Sequence, residues 1–157
     1  MCIVIDTNVW PCVFRSDSAR HTDYKPVLNW ITKGPGFVVY GGSKYQRELR
    51  NAPRYQAVFL ELRKKGRAKI INHTLVDEHQ DDVERVVNTP TCDDAHLIAI
   101  FRVSGCRLLC SNDQRADVFI KDRCCYVHQQ KPPSIYRNSN HRHLLCRRNV
   151  VKIKNEV

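Results

Sequence analysis

The chain of 157 residues is long enough to bury a hydrophobic core within a single domain. Its 42% hydrophobic and 27% charged residues are typical of a soluble globular protein, and no stretch approaches the roughly 18 apolar residues of a membrane span. The net charge of +10 favours polyanionic partners, nucleic acid above all, although a basic surface can also serve solubility alone.

The N-terminal residues and the cysteines together predict a cytoplasmic protein. The first apolar run has no basic leader and stops at Asp6, so we expect no secretory signal peptide. Without an export route, the eight cysteines are expected to be reduced thiols rather than a disulfide framework. A zinc site built from these cysteines and nearby histidines is the alternative, but no Cys-x-x-Cys pair of the usual spacing occurs, so we expect buried thiols.

The first predicted element is a buried strand that ends on an acid. Residues 2–5 form an unbroken apolar run rich in β-branched side chains, as expected of a strand covered on both faces. Asp6 follows it directly, and Pro11 lies where a helix can begin. Because ligands bind at the carboxyl ends of strands in a parallel sheet, Asp6 is a candidate site residue.

The rest of the chain alternates helical and strand patterns. Apolar spacing and the breaks between runs predict helices over residues 24–33, 43–49, 74–88, 92–104 and 114–121, another helix starting at Pro53, and strands over residues 37–40, 68–71, 107–110 and 124–127. This alternation predicts a three-layer α/β fold with a mainly parallel sheet and right-handed crossovers.

Acidic residues recur at the element ends that meet at one edge of a parallel sheet. Asp6 and Asp113 each follow a short apolar strand directly. Asp93, Asp94 and Glu48 lie in the first turns of helices. Each acid alone is explained equally well as a helix cap, a partner of the helix macrodipole or an exposed helical residue. Their recurrence favours a common site.

Carboxylates gathered at one edge would repel one another by several kcal/mol unless cations were present. Mg²⁺ and Mn²⁺ prefer carboxylate oxygens and keep waters that a substrate can displace. Such an ion generates hydroxide from bound water and offsets charge on a phosphodiester. An acidic site on a basic protein therefore predicts a metal-dependent nuclease. We expect His96, in the helix led by Asp94, to pack in the core rather than face this site.

Three segments that contain these acids occur in a fixed order. They are residues 3–8 (IVIDTN), 93–99 (DDAHLIA) and 109–113 (LCSND), with Glu48 on a helix between the first two. In order and approximate spacing this set resembles the PIN domain family, and Glu48 looks like the helical acid of that family. A single Asp-Thr-Asn motif is common, so it is the ordered set that carries the resemblance.

The resemblance implies a Rossmann-like sheet in strand order 3-2-1-4-5, with helices on both faces. It also implies Mg²⁺- or Mn²⁺-dependent cleavage of RNA, as in the VapC-type toxins of toxin–antitoxin pairs. Its implied partners are RNA, an antitoxin protein and a second copy of the chain in a homodimer. Carried over by position, the implied catalytic carboxylates are Asp6, Glu48, Asp94 and Asp113. The implied metal ligands are Asp6, Asp94, Asp113 and Asp117. The residues implied to support these acids by hydrogen bonds are Asn8, Ser111 and Asp93.

The resemblance covers about residues 1–127 as a nuclease domain and leaves 128–157 as a basic C-terminal extension. Tyr136 and the interspersed Arg and His residues of the extension could stack a base and hold the RNA backbone. The candidate contacts are Arg137, Arg142, Arg147 and Arg148. The alternative is a strand or arm that packs on the domain or contacts another copy.

Two other functions stay open at this point. A PIN-like module could hold RNA or a protein without cutting it, with its acids unused. A flap-type DNA nuclease shares the acidic site, but the chain lacks the long arch insertion and extra acids of such enzymes, so it ranks below the ribonuclease. The presence of all four acids favours the enzyme.

Overall fold

The computed structural model describes residues 2–146, 153 and 155–157. In this part of the chain, a five-stranded parallel sheet has the order β3-β2-β1-β4-β5 and is surrounded by helices. The predicted fold class and strand order are therefore confirmed. None of the helices described is both long enough and apolar enough to cross a bilayer.

The strands and helices alternate along the chain. The strands are β1 (Cys2–Ile5), β2 (Phe37–Tyr40), β3 (Ala68–Ile70), β4 (Leu108–Cys110) and β5 (Ser134–Tyr136). The α-helices are α1 (Trp10–Phe14), α2 (His21–Thr32), α3 (Ser43–Arg50), α4 (Pro53–Lys64), α5 (His73–Val87), α6 (Ala95–Ser104) and α7 (Asp117–Ile120). Short 3-10 helices span Thr7–Val9, Arg123–Cys125 and Ser139–Leu144.

Strand β1 lies at the centre of the sheet because its apolar run has no polar face. It pairs with β2 through Ile3 and Val38 and with β4 through Ile5 and Cys110. All four of its residues are fully buried. The strand that is covered on both faces is thus the one that delivers Asp6 to the carboxyl edge of the sheet.

Helix α6 is buried almost all round, as expected of an apolar helix in a core. Nine of its ten residues are buried, Arg102 being the exception, and it packs against α5. It ends at Gly105, whose φ of 72° is the left-handed conformation that glycine adopts without strain. Because α6 is fixed in the core, Asp94 immediately before it is held at the edge of the sheet.

The sequence placed the fifth strand wrongly. The apolar run at residues 124–127 resembles a strand, but Arg123–Cys125 is a 3-10 helix. Its turn is capped by Asp122, which accepts a hydrogen bond from the Cys124 N–H at 2.9 Å. The fifth strand is Ser134–Tyr136, paired with β4 and preceded by prolines, which are tolerated where an edge strand begins.

The sheet therefore takes its last strand from the predicted extension over residues 128–157. Tyr136 is fully buried, and its hydroxyl donates a hydrogen bond to the backbone oxygen of Asp23 at 2.7 Å. The prediction that Tyr136 stacks an RNA base is thus wrong. The alternative, a strand that packs on the domain, is confirmed for Ser134–Tyr136.

Candidate active site

The neighbouring strands β1 and β4 bring Asp6 and Asp113 to the same edge of the sheet. The Asp6 backbone N–H donates to the Cys110 oxygen at 2.9 Å, which extends the pairing of the two strands by one residue. The Ser111 hydroxyl donates to Oδ2 of buried Asp6 at 2.8 Å and accepts from the Asp113 N–H at 3.2 Å. Ser111, predicted to support the acids, thus links the two strand ends.

Asn8 contacts Asp6 through its backbone N–H and not through its side-chain amide. It lies in the 3-10 helix Thr7–Val9, which Asp6 caps, and its backbone N–H donates to Asp6 Oδ1 at 3.5 Å. Asn8 itself is exposed. Its contact with Asp6 is therefore a main-chain contact, at the long limit of hydrogen-bond distance.

Helix α3 carries Glu48 toward the end of β1. The buried Tyr45 hydroxyl donates to the Ile5 backbone oxygen at 2.6 Å, which ties the helix to the residue before Asp6. Glu48 follows Tyr45 by three positions and so lies on the same side of the helix. Its Oε2 atom is buried and has no hydrogen-bond partner in the part of the chain described. Burial raises the pKa of Glu48.

His96 lines the buried side of Glu48. Its Nε2 atom lies 3.8 Å from Glu48 Oε2. Burial, followed by the charge of Lys44, lowers the pKa of His96 to about 3, so the ring is neutral and the contact is not an ion pair. His96 is buried in the core, as expected, but it also contacts Glu48, which the sequence analysis did not expect. Because its ring is neutral, it gives Glu48 Oε2 no charged partner.

Asp94 occupies the N-cap position of α6, but its side chain does not cap the helix. The structure describes every residue of α6, and none of its backbone N–H groups donates a capping hydrogen bond to the Asp94 side chain. Burial and then the negative charge of Asp6 raise the pKa of Asp94 to about 6. A carboxyl group that is desolvated and repelled, rather than stabilised by backbone N–H groups, is typical of a site and not of a cap.

Three of the four predicted carboxyl groups, those of Asp6, Glu48 and Asp94, have a pKa that the charge of another acid raises. The charge of Asp6 raises the pKa of both Glu48 and Asp94, and that of Asp113 raises the pKa of Asp6 and Asp94. The charge of Asp94 also raises the pKa of Glu48. Acids from β1, α3, the start of α6 and the end of β4 therefore form one cluster, which we call the acidic cluster: Asp6, Glu48, Asp94 and Asp113.

Two basic residues that the sequence analysis missed offset this charge. Lys44 lowers the pKa of Glu48 and Asp94, and its Nζ donates to the Asp93 backbone oxygen. Arg115 binds Asp113 with two hydrogen bonds, at 3.0 and 2.7 Å, and holds its pKa below the ordinary value. The sequence indicates these two residues only by their spacing from the acids. Lys44 precedes Glu48 by about one helical turn, and Arg115 follows Asp113 by two residues.

The remaining candidate residues occupy other positions. Asp93 is exposed. Asp117 pairs with Arg137 and, at 3.3 Å, with Lys121. Arg137, predicted to contact RNA, has a side chain that is 15% exposed and forms an ion pair with Asp117. The exposed Arg142 lies in the 3-10 helix Ser139–Leu144, whereas Arg147 and Arg148 lie outside the described residues.

The donor atoms of the acidic cluster suit a hard divalent cation, since all are carboxylate oxygens that repel one another and one, Glu48 Oε2, is buried without a partner. Among the residues that the structure describes, no three Asp, Glu, His or Cys side chains converge into a ready ligand set. Lys44 and Arg115 provide the positive charge instead.

No family model, curated protein or solved structure matches the chain. Its function is therefore argued from the site itself. The site combines three carboxyl groups of raised pKa, one of which is buried and bonded to Ser111, with a partly exposed acid held by an arginine. Such a set can bind a divalent cation and, through it, an anionic substrate.

Proposed function

We propose that the chain is an endoribonuclease of the PIN-domain type that uses Mg²⁺ or Mn²⁺ to cleave RNA phosphodiester bonds. The observation that carries the proposal is the placement of Asp6 and Asp113 at the ends of neighbouring parallel strands, where Ser111 links them and their charges raise the pKa of Asp94. A structural role would not require four acids to share one region at an electrostatic cost, whereas a divalent cation relieves that cost.

Each residue of the acidic cluster has a distinct part in this proposal. Asp6, held by Ser111, and Asp113 would bind the ion from β1 and β4, and Glu48 and Asp94 would bind it from α3 and the start of α6. The bound ion supplies a metal-activated water and offsets charge on the phosphodiester. Lys44 offsets the charge of Glu48 and Asp94 when no cation is bound.

The basic surface supports RNA as the substrate. The chain carries a net charge of +10, and the exposed Arg20 donates to Asn112 Oδ1 at 2.7 Å, directly beside Asp113. Exposed guanidinium groups next to a cluster of acids attract a phosphate backbone toward a metal site. We further propose a role as the toxin of a toxin–antitoxin pair, as the resemblance to VapC-type toxins implies, and a cytoplasmic location, which the eight free thiols support.

The direct test is incubation with tRNA, rRNA and mRNA fragments at fixed Mn²⁺ concentration. Wild type should cleave at least one RNA, chelation of the metal should stop cleavage, and Asp6→Asn should abolish it. Asp81→Asn, which removes an exposed acid of α5, is the matched control and should cleave like wild type. Cleavage by Asp6→Asn at the wild-type rate would end the assignment.

A second candidate function is an RNA- or protein-binding module without catalysis. Arg115 and Lys44 favour it, because Arg115 already pairs with Asp113 and the charge of Lys44 already lowers the pKa of Glu48. Such a module would bind RNA equally well with and without Mn²⁺ and would retain that binding in Asp6→Asn. The same panel of RNAs, measured for binding as well as cleavage, separates the two functions.

A further inference from the structure

A cleft of about 510 Å³ adjoins the acidic cluster. It is lined by the acids Asp93, Asp94 and Asp113 and by the apolar side chains of Ala116, Val118 and Phe119, which form its apolar wall. Its volume falls within the range of roughly 300–1,000 Å³ in which proteins bind small molecules. The cleft thus extends the acidic cluster toward α7 and joins carboxylates to an apolar wall.

The apolar wall is exposed although its helix is anchored. Ile120 is fully buried and Ala116 nearly so, which fixes α7 against the core. Val118 is nonetheless 72% exposed, and the partly buried Phe119 packs against the core while lining the cleft. A single exposed valine is ordinary, but here it lies next to Phe119 in a cavity that charged groups also line, as in binding sites.

Arg115 lines the same cleft and supplies the positive charge. Its side chain is 91% exposed, and its guanidinium pairs with Asp113 at 2.7 Å. An ion pair this exposed contributes little to stability, so the guanidinium can exchange the carboxylate for a phosphate at small cost. One cavity thus offers groups for a phosphate and a flat apolar surface, the two parts of a nucleotide.

We propose that this cleft binds one unpaired nucleobase of the RNA, next to the phosphate that reaches the acidic cluster. The base lies against Phe119 and Val118, and Arg115 contacts the RNA backbone. The inference rests on the proposed function and requires the base beside the cut to be unpaired, because a paired base cannot leave its stack without cost. Aromatic stacking accepts any base, so the site is insensitive to base identity.

The test is binding of fluorescently labelled single-stranded RNA, measured by anisotropy with Ca²⁺ as the divalent cation. One RNA is intact, and each of the others has an abasic ribose at one successive position. With wild type, loss of the base at one position should raise Kd about tenfold, as expected for one stacked base, and losses elsewhere should change it less than twofold.

The matched variants locate the effect in the cleft. Phe119→Leu keeps an apolar core contact but removes the aromatic face, and Val118→Ser removes the apolar wall. Both should bind the intact and the abasic RNA equally. Val86→Ser, at a 52% exposed position of α5, is the control and should keep the tenfold difference. Thermal unfolding of each variant verifies that it is folded.

Failure of the inference and failure of the proposed function give different results. Equal binding of all abasic RNAs by wild type overturns the base site even if Mn²⁺-dependent cleavage is found. A position-dependent loss of binding without any cleavage supports the base site and rejects the ribonuclease. If Val118→Ser changes the sedimentation of the protein and not its RNA binding, the wall is a contact between copies, which also overturns the inference.

Discussion

At the scale of single residues, the Ser111 hydroxyl links the two strand ends that carry acids. It donates to the buried Asp6 carboxylate and accepts from the Asp113 backbone. Burial raises the pKa of Asp6, and the hydrogen bond from Ser111 reduces that rise. Ser111 thus favours the ionised form of a carboxyl group whose pKa burial raises, and it holds that group in place.

Ser111→Ala should lower the free energy of unfolding at pH 7 by about 1–3 kcal/mol, because the buried Asp6 oxygen loses its partner. Urea denaturation measures the change. Ser134→Ala, at an exposed position of β5, is the control and should lie within about 0.5 kcal/mol of wild type. An unchanged midpoint in Ser111→Ala would show that the bond does not stabilise Asp6.

Asp94 gives the metal-free protein a defined pH dependence. Because its pKa is raised from 3.8 to about 6 on folding, its contribution to stability is fully present below about pH 4 and is lost as the pH rises through about 6. Asp94→Asn removes this loss. Allowing for solvent screening of a partly exposed group, the variant should be more stable than wild type by roughly 1–2 kcal/mol at pH 7.5.

The same comparison at pH 4 should give little difference between Asp94→Asn and wild type. Thermal or urea unfolding at the two pH values, with metal chelated, is the measurement. A capping role would give the opposite sign, a loss of about 1 kcal/mol at pH 7.5. Destabilisation of the variant would therefore contradict the assignment of Asp94 to the acidic cluster.

At the scale of elements, the contact between α3 and β1 positions Glu48. Tyr45→Phe removes the hydroxyl that donates to the Ile5 oxygen at 2.6 Å. It should cost about 1–2 kcal/mol of stability and lower the rate of Mn²⁺-dependent RNA cleavage, because α3 is no longer tied to the strand that carries Asp6.

Tyr126→Phe is the matched control for Tyr45→Phe. Its hydroxyl makes the same kind of buried bond, to the Ile120 oxygen at 2.7 Å. It should lower stability by a similar amount and leave the cleavage rate of the folded protein unchanged. Equal cleavage by both variants, measured below their unfolding temperatures, would show that Tyr45 has only a structural role.

The sequence predicted elements best where burial imposes a continuous pattern. Strand β2 was predicted at its observed bounds, and β1 was recognised because an apolar run without a polar face suits only a buried element. The fifth strand was missed because Ser134–Tyr136 is three residues long and lies at the sheet edge, where one buried side chain, Tyr136, gives no periodicity to detect.

In the candidate site, too, the residues next to buried elements could be predicted and the surface residues could not. The four acids could be predicted because each adjoins an apolar strand or helix whose place in the sheet is fixed by burial. Lys44 and the apolar wall at Val118 could not, because they are surface residues whose neighbours come from distant parts of the sequence. Arg115 lies close to Asp113 in sequence, but spacing alone does not specify that the two pair.

At the scale of the whole molecule, the net charge of +10 should make RNA binding strongly salt-dependent. Each neutralised phosphate of a single strand contributes about −0.7 to the slope of log K against log salt. Arg115→Ala should therefore make the slope shallower by about 0.7. Lys33→Ala, at the opposite edge of the sheet before β2, should leave it unchanged.

Anisotropy titrations with a single-stranded RNA at several salt concentrations measure these slopes. If Arg115→Ala and Lys33→Ala reduce the slope equally, the positive charge acts as a diffuse field rather than through contacts beside the acidic cluster. Salt-independent binding by wild type would contradict a phosphate backbone as the ligand.

The central claim is that acids from four separate segments form one divalent-cation site. Titration calorimetry of the metal-free protein with Mn²⁺ tests it most directly, using wild type, Asp6→Asn, Glu48→Gln, Asp94→Asn and the control Asp81→Asn. Wild type and Asp81→Asn should bind Mn²⁺ with the same affinity, and each of the other three variants should bind at least tenfold more weakly. Affinity that is absent in wild type, or equal in all five proteins, would contradict the claim.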